Sequence, residues 1–239
     1  MILEHFDQNR FPAVENMALD LLMLESYPRP DVLRLRHYSW EPDCFTFGYS
    51  QVYEWIEGQA VRGAQLARRP TGGGFVDHRN DWTYAFVIPA GHPLHHAPAI
   101  DVYRLVHDSI AQAMSAIGRP AVLQPEEDEQ PDIPGMPKRV RGLCFAGAEP
   151  CDVIAPESRL KIAGAAMKRN KNGVLIQGSI DRLVTGDLDW TAFRERFVAG
   201  LAAAFDADES VSVDAPDYGE TVRSAAVEKI GSDHWNRRR

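Results

Sequence analysis

The run Gly72-Gly73-Gly74, preceded by Arg68-Arg69-Pro70-Thr71 and followed by Phe75-Val76-Asp77-His78, most constrains what this chain can fold into. Three successive residues without Cβ atoms bare one side of the backbone and permit positive φ, so a charged or bulky ligand can lie directly on main-chain N–H groups. The arginine pair before the run and His78 after it add charge and a titratable ring, which suits a carboxylate, a phosphate or an activated acyl group. The same run would also serve as a plain turn joining two strands. Leu66 leads into the arginines and Trp82 to Ile88 reads as a strand, so the glycines are expected to join β to β. That placement counts against a nucleotide P-loop or a Rossmann turn, where a helix start follows the glycines.

The flanking segments read as alternating helices and strands. Asn16 to Glu25 sets Met17, Leu21 and Leu24 on one face at helical spacing and ends before Pro28, predicting a buried helix. Val32 to Tyr38 alternates arginines with apolar residues, and Cys44 to Tyr49 reads as its neighbouring strand across the turn Trp40-Glu41-Pro42-Asp43. Asp101 to Met114 carries an apolar face through Val102, Leu105, Val106, Ile110, Ala113 and Met114, with Gly118 ending the helix. Leu123 to Lys138, rich in Pro, Asp and Glu, is expected to be a mobile loop. His92, His95 and His96 have no carboxylate or cysteine at ligand spacing, and the prolines among them indicate a flexible surface loop, so no metal site is expected.

Composition excludes more than it assigns. The 239 residues are 44% hydrophobic, ample for a packed core, and the net charge of −8 argues against nucleic acid as a general partner. Met1 to Asp7 carries no basic region followed by an apolar run, and nowhere do 18 apolar residues run together, so the expectation is a cytoplasmic chain without a membrane partner. Cys44, Cys144 and Cys151 lack CxxC spacing, which leaves thiol chemistry rather than a disulfide framework or structural zinc.

A second informative stretch runs through Gly142-Leu143-Cys144-Phe145-Ala146, Cys151-Asp152-Val153-Ile154, Lys161-Ile162-Ala163-Gly164-Ala165-Ala166-Met167 and Gly173 to Ile180. The last two segments form a hairpin about Asn170-Lys171-Asn172-Gly173, whose first strand opens with an isolated lysine beside small residues that leave room for substrate. By itself Lys161 could be a solvated edge-strand lysine, and Cys144 a small buried hydrophobe.

Taken together, the Asn16-Met17-Ala18-Leu19-Asp20 helix, Arg68 to Gly74 with His78, Cys144-Phe145, Lys161-Ile162-Ala163-Gly164, Leu175 to Ile180 and Glu228 to Asn236 stand in an order covering nearly the whole chain. In this the sequence resembles the lipoate-protein ligase A and octanoyltransferase superfamily, with its biotin/lipoate ligase catalytic fold. The resemblance implies an α/β chain with a mixed or antiparallel central sheet flanked by helices. It further implies one catalytic domain over residues 1–239, helical from about residue 190, without a separate accessory domain. Within the superfamily the Cys-Phe pair and the Lys-Ile-Ala-Gly motif are similar to the octanoyltransferase branch. On that likeness Cys144 would take octanoate from octanoyl-acyl carrier protein as a thioester, with Lys161 as the second catalytic residue. The acyl group would then pass to a lysine of a lipoyl-bearing domain, such as glycine cleavage H protein or a 2-oxoacid dehydrogenase E2, with no cofactor. Arg69, Thr71, Gly72, Gly73, Gly74, His78, Gly164, Ala165 and Gln177 are the implied substrate contacts.

The chemistry of such a site is coherent. A nearby ammonium raises the thiolate fraction of a cysteine, and N–H groups around Gly164 and Ala165 would receive a developing oxyanion. Trp82, Tyr84, Phe86 and Ala163 could line an apolar tunnel for the acyl chain. Two departures keep alternatives open. Triple glycine is the commoner form among ATP-dependent lipoate-protein ligases, which would bring ATP and Mg and, here, a separate accessory subunit. Ala165, Met167 and Gln177 replace the serine, glutamine and histidine many members carry, which suits a non-catalytic binder of lipoyl domains or acyl carriers.

Overall fold

The computed structural model describes residues 1–125 and 147–238 of the chain. Its strands are β1 (Ile2–Phe11), β2 (Leu33–Trp40), β3 (Cys44–Phe47), β4 (Gln65–Arg68), β5 (Val76–Asp77), β6 (Asp81–Pro89), β7 (Val122–Leu123), β8 (Val153–Ile154), β9 (Lys161–Asn170), β10 (Gly173–Asp181) and β11 (Glu209–Ser212). The helices are α1 (Ala13–Glu25), α2 (Tyr53–Glu57), α3 (Ala99–Ala116), α4 (Arg182–Thr185), α5 (Trp190–Ala204), α6 (Glu220–Gly231) and α7 (Asp233–Asn236).

Eight strands form one mixed sheet in the order β11-β1-β2-β6-β10-β9-β8-β7. β1 runs parallel to β2 and β11, and the other neighbours are antiparallel. Helices cover both faces, so the central strands β6 and β10 bury successive residues on both sides of the sheet. On β6, Trp82, Tyr84, Phe86 and Ile88 pack with Val102, Val106 and Ile110 of α3 and Phe193 and Phe197 of α5. The intervening Ala85 and Val87 meet Met17, Leu21 and Leu24 of α1 on the opposite face. This is the α/β class the sequence implied. Gly118 ends α3 in the expected way, with φ +83.

Three expectations are corrected. β3 does not pair with β2, whose two edges are already taken by β1 and β6. Asp43 adopts φ +57, and β3 instead centres a separate three-stranded sheet, β4-β3-β5. The C-terminal portion is not wholly helical, because β11 lies between α5 and α6 and extends the main sheet beside β1. His92, which caps the 3-10 turn Pro93–His96, and His95 within it are buried, with their Nε2 atoms 3.1 Å from the Phe205 carbonyl and 2.9 Å from that of Asn170. That turn is fastened to the body of the protein, not a free surface loop. Among the described residues no helix is long and apolar enough to cross a membrane.

Candidate active site

The glycine run leaves β4, folds over β9 and enters β5, joining β to β as expected. Of Gly72 and Gly73, only Gly73 takes positive φ, +83, and a Cβ there would stand 3.3 Å from that of Ala166 on β9. Gly48 accepts the loop from the other side, since a Cβ on it would lie 2.0 Å from the Gly73 carbonyl oxygen. Gly72 differs from both. A Cβ there would meet nothing within 4 Å, so no packing contact demands its bare backbone.

The arginines before the run hold structure. Arg68 is fully buried, and its guanidinium donates to carbonyls of Gly48, Tyr49 and Gln51 on one side and Trp235, Asn236 and Arg238 on the other, tying the last helix to the loop after β3. Arg69 donates to the Gly72 carbonyl (2.9 Å) and the Gly74 carbonyl (2.6 Å), bracing the cradle from beneath, and to Thr46 Oγ1 (2.7 Å).

Beneath this loop lies a pocket with about 390 Å³ of empty space, its open mouth included. Met17, Tyr38, Trp40, Val76 and Ala166 give it an apolar wall. Its polar groups are held by two networks. In the first, Asp20 of α1 accepts from Arg36 (2.5 Å), Tyr38 (2.7 Å) and Gln177 Nε2 (2.6 Å), while Gln177 Oε1 accepts from Thr71 (2.7 Å). Burial pushes the Tyr38 hydroxyl well above its usual range, which keeps it a neutral donor to Asp20. In the second network His78 stacks on Trp40 at 3.8 Å between centroids. Its Nε2 is 2.7 Å from Thr46 Oγ1 and its Nδ1 is 2.6 Å from Asp81 Oδ2. Because Thr46 accepts from Arg69, its own proton can point to Nε2, and Nδ1 then carries the hydrogen towards Asp81. Thr83 and Ser179 also donate to Asp81 Oδ2.

Where β9 begins stands Lys161, which neighbours the pocket through Gly164 of its lining. It is 8% exposed, and its Nζ lies 2.7 Å from Asp152 Oδ2. The lysine folds back over Gly164, where a Cβ would come within 2.6 Å of Lys161 Cε and Nζ and 2.9 Å of Asp152 Oδ1. The bare backbone at Gly164 is therefore occupied by the ion pair itself. Among the described residues, no group of three or more His, Cys, Asp or Glu side chains is disposed to hold a metal ion.

The structure thus brings Arg69, Gly73, His78, Gly164, Ala165 and Gln177 to one pocket, with Thr71 bonded to Gln177 and Lys161 lying over Gly164. Cys144 and Phe145 lie outside the described residues. The tunnel expectation is corrected: Trp82, Tyr84, Phe86 and Ala163 sit in the packed core under α3 and α5, because their positions on the strands face away from the pocket. Cys44 is buried in β3, and burial pushes its thiol up to about 11, which removes it as a ready nucleophile. Cys151 lies not in a strand but in the turn before β8, with φ +67. Sequence reasoning missed Asp20, Thr46, Asp81 and Asp152. Two of them carried a signal: Asp20 closes the Asn16-Met17-Ala18-Leu19-Asp20 motif, and Asp152 is a lone acid in the Cys151 to Ile154 stretch that precedes the lysine.

Comparison with known proteins gives the family and the fold. The family model for the lipoyl protein ligase A/B catalytic domain matches residues 12–213. The chain is 31% identical to the octanoyltransferase LipM of Geobacillus kaustophilus over 180 residues, which are 73% of this chain and 63% of that relative. The match therefore spans under two thirds of the relative's length. It is 28% identical to the LipM of Bacillus subtilis, with 97% of this chain and 96% of that one covered. Among solved structures, one of a bi-partite lipoate protein ligase and its E2 lipoyl domain from Thermoplasma acidophilum matches with a TM-score of 0.70 at 19% identity, covering 99% of this chain and 96% of that one. At that identity the likeness is one of fold. With the family model spanning from the start of α1 to beyond β11, the chain belongs to the lipoyl protein ligase A/B catalytic domain family.

Proposed function

We propose that this protein is an acyltransferase of protein lipoylation, moving an octanoyl or lipoyl group from acyl carrier protein through a Cys144 thioester to a lysine of a lipoyl-bearing domain. The observation that carries the reading is the buried Lys161–Asp152 pair lying over Gly164, in a chain whose near-full-length relative is named an octanoyltransferase. A buried ammonium beside a thiol favours the thiolate, the form that attacks a thioester carbonyl. Exchange between thioesters is close to balanced and thioester to amide runs downhill, so the sequence of steps needs no nucleotide. Of the three thiols, Cys44 is disfavoured by burial, and between Cys144 and Cys151 the likeness of the Cys144-Phe145 pair to the octanoyltransferase branch selects Cys144.

Backbone geometry supports the transfer step. β8 pairs with β9 only at Lys161 and Ala163, while β10 continues along the other edge of β9. Successive residues of a strand turn their N–H groups to opposite edges, so one of Gly164 and Ala165 aims its amide at the edge β8 has left. An amide there is a donor for a tetrahedral oxyanion. The acyl chain would run along Ala166 and Val76 towards Met17.

A second reading, ATP-dependent lipoate ligation with a separate accessory subunit, draws on the triple glycine and on the fold shared with a bi-partite lipoate protein ligase. Mass spectrometry of the intact protein after incubation with octanoyl-acyl carrier protein, with and without ATP, separates the two. The transferase predicts one hydroxylamine-labile octanoyl adduct on wild type without ATP, absent from Cys144→Ser. No adduct without ATP, or an undiminished adduct on folded Cys144→Ser, would remove the Cys144 route.

A further inference from the structure

We infer that His107 is a positioning residue for the Lys161–Asp152 pair, acting from α3 through the main chain of Cys151. The inference rests on the role given above to Lys161. His107 is 2% exposed, and its Nδ1 lies 2.6 Å from the Cys151 carbonyl oxygen. Nδ1 therefore carries the hydrogen and donates, which fixes the tautomer. The other ring nitrogen, Nε2, is buried and has no hydrogen-bond partner among the described residues. Leaving a buried acceptor unmatched costs on the order of 1–3 kcal/mol, so a histidine is a poor choice here if packing alone is at stake. The one bond it makes must supply the reason for it.

That bond falls on an unusual peptide. Cys151 holds φ +67, a conformation that costs a residue with a side chain about 1–2 kcal/mol and relaxes unless neighbours hold it. Its carbonyl belongs to the same peptide plane as the Asp152 N–H, which donates to the Glu149 carbonyl at 2.9 Å. Asp152 is clasped further by Gln124 N–H on its carbonyl at 2.7 Å and by Glu149 N–H on its Oδ2 at 2.7 Å. Oδ2 then meets Lys161 Nζ at 2.7 Å. If the 151–152 peptide rotates, the carboxylate swings off the lysine. His107 is the side chain that clamps the carbonyl end of this peptide, and it reaches there from the helix that also packs on the core of the sheet.

The test reads Lys161 directly and needs no acyl donor. The protein is exposed to acetic anhydride at neutral pH, and acetylation of the Lys161 peptide is followed by mass spectrometry in wild type, His107→Asn, His107→Leu, His107→Met, Asp152→Asn and His107→Leu/Asp152→Asn. A carboxylate contact favours the unreactive ammonium, so both His107→Leu and Asp152→Asn should label roughly fivefold faster or more. His107→Asn, which keeps a donor for the Cys151 carbonyl, should stay within about twofold of wild type. The decisive result is the double variant, which should label no faster than Asp152→Asn alone, because two residues acting through one contact are not additive. His107→Met stands in if the leucine variant fails to fold by thermal denaturation. Wild-type labelling rates in both apolar variants, or full additivity in the double variant, would overturn the assignment. Wild type that shows this coupling yet takes up no octanoate would remove the transferase reading and leave the positioning role standing.

Discussion

Gly164→Ala is the substitution that most directly probes the site. The added Cβ would lie 2.6 Å from Lys161 Cε and Nζ and 2.9 Å from Asp152 Oδ1, against an ordinary carbon contact of about 3.5–4.0 Å. The backbone of β9 is fixed by its ladder with β10, so the lysine must yield, by about 1 Å at its head. That displacement breaks the 2.7 Å contact with Asp152. Part of the cost of a separated buried pair, about 3–5 kcal/mol when one partner is lost outright, is recovered because a long flexible side chain can turn towards solvent. The stability loss should therefore be about 1–3 kcal/mol, or roughly 2–12 °C in Tm for a chain of this size. A 1 Å misplacement of a reacting group costs on the order of a hundredfold in rate. Single-turnover transfer from octanoyl-acyl carrier protein should thus fall by about that factor in Gly164→Ala while circular dichroism reports an intact fold. Transfer at the wild-type rate by the folded variant would refute the reasoning, because it would mean that the position of Lys161 over Gly164 is irrelevant to the chemistry.

Two further outcomes follow from the same geometry. Gly178→Ala should act on stability rather than on rate, because its Cβ would fall 2.3 Å from Tyr84 Cζ, part of a rigid and fully buried ring that cannot step aside. A loss of roughly 3 kcal/mol and a Tm lowered by about 6–12 °C are expected, read by calorimetry, and an unchanged Tm would contradict the packing described. Burial also holds the His107 ring below its usual pKa, so the folded protein takes up that proton less readily than the unfolded chain. Stability from this residue is full above about pH 6.5 and falls as pH drops below it, by at most about 1.4 kcal/mol per unit until the folded ring itself titrates. Urea midpoints between pH 7 and 5 should fall more steeply for wild type than for His107→Leu, and parallel profiles would refute the claim.

How much was legible in the sequence depended on the range of the interactions involved. Local periodicity was enough for α1 and α3, and the strand pattern with its Asn170 to Gly173 turn was enough for the β9–β10 hairpin, since each is decided by neighbours a few residues apart. The six short motifs, read in order, led to the family. Pairing across the sheet was not legible: β3 looks like a partner for β2 until β1 and β6 are seen to occupy both its edges. Nor was the side of the sheet on which the pocket opens, because β6 is apolar on both faces from Tyr84 to Ile88 and neither face marks itself as the pocket side. The arginine pair looked like one ligand-binding unit, yet Arg68 is consumed by six carbonyls from distant loops while Arg69 braces the glycines. Residue types and spacing alone determined that this chain carries a bare-backbone cradle, an isolated lysine beside small residues and the motif order of its family. Only the tertiary structure decided that Lys161 is buried against Asp152, that Gly164 is bare to admit that pair and that His107 stands behind it. Those contacts join residues up to 44 positions apart through a sheet edge and a turn, where side-chain geometry rather than composition selects the partner.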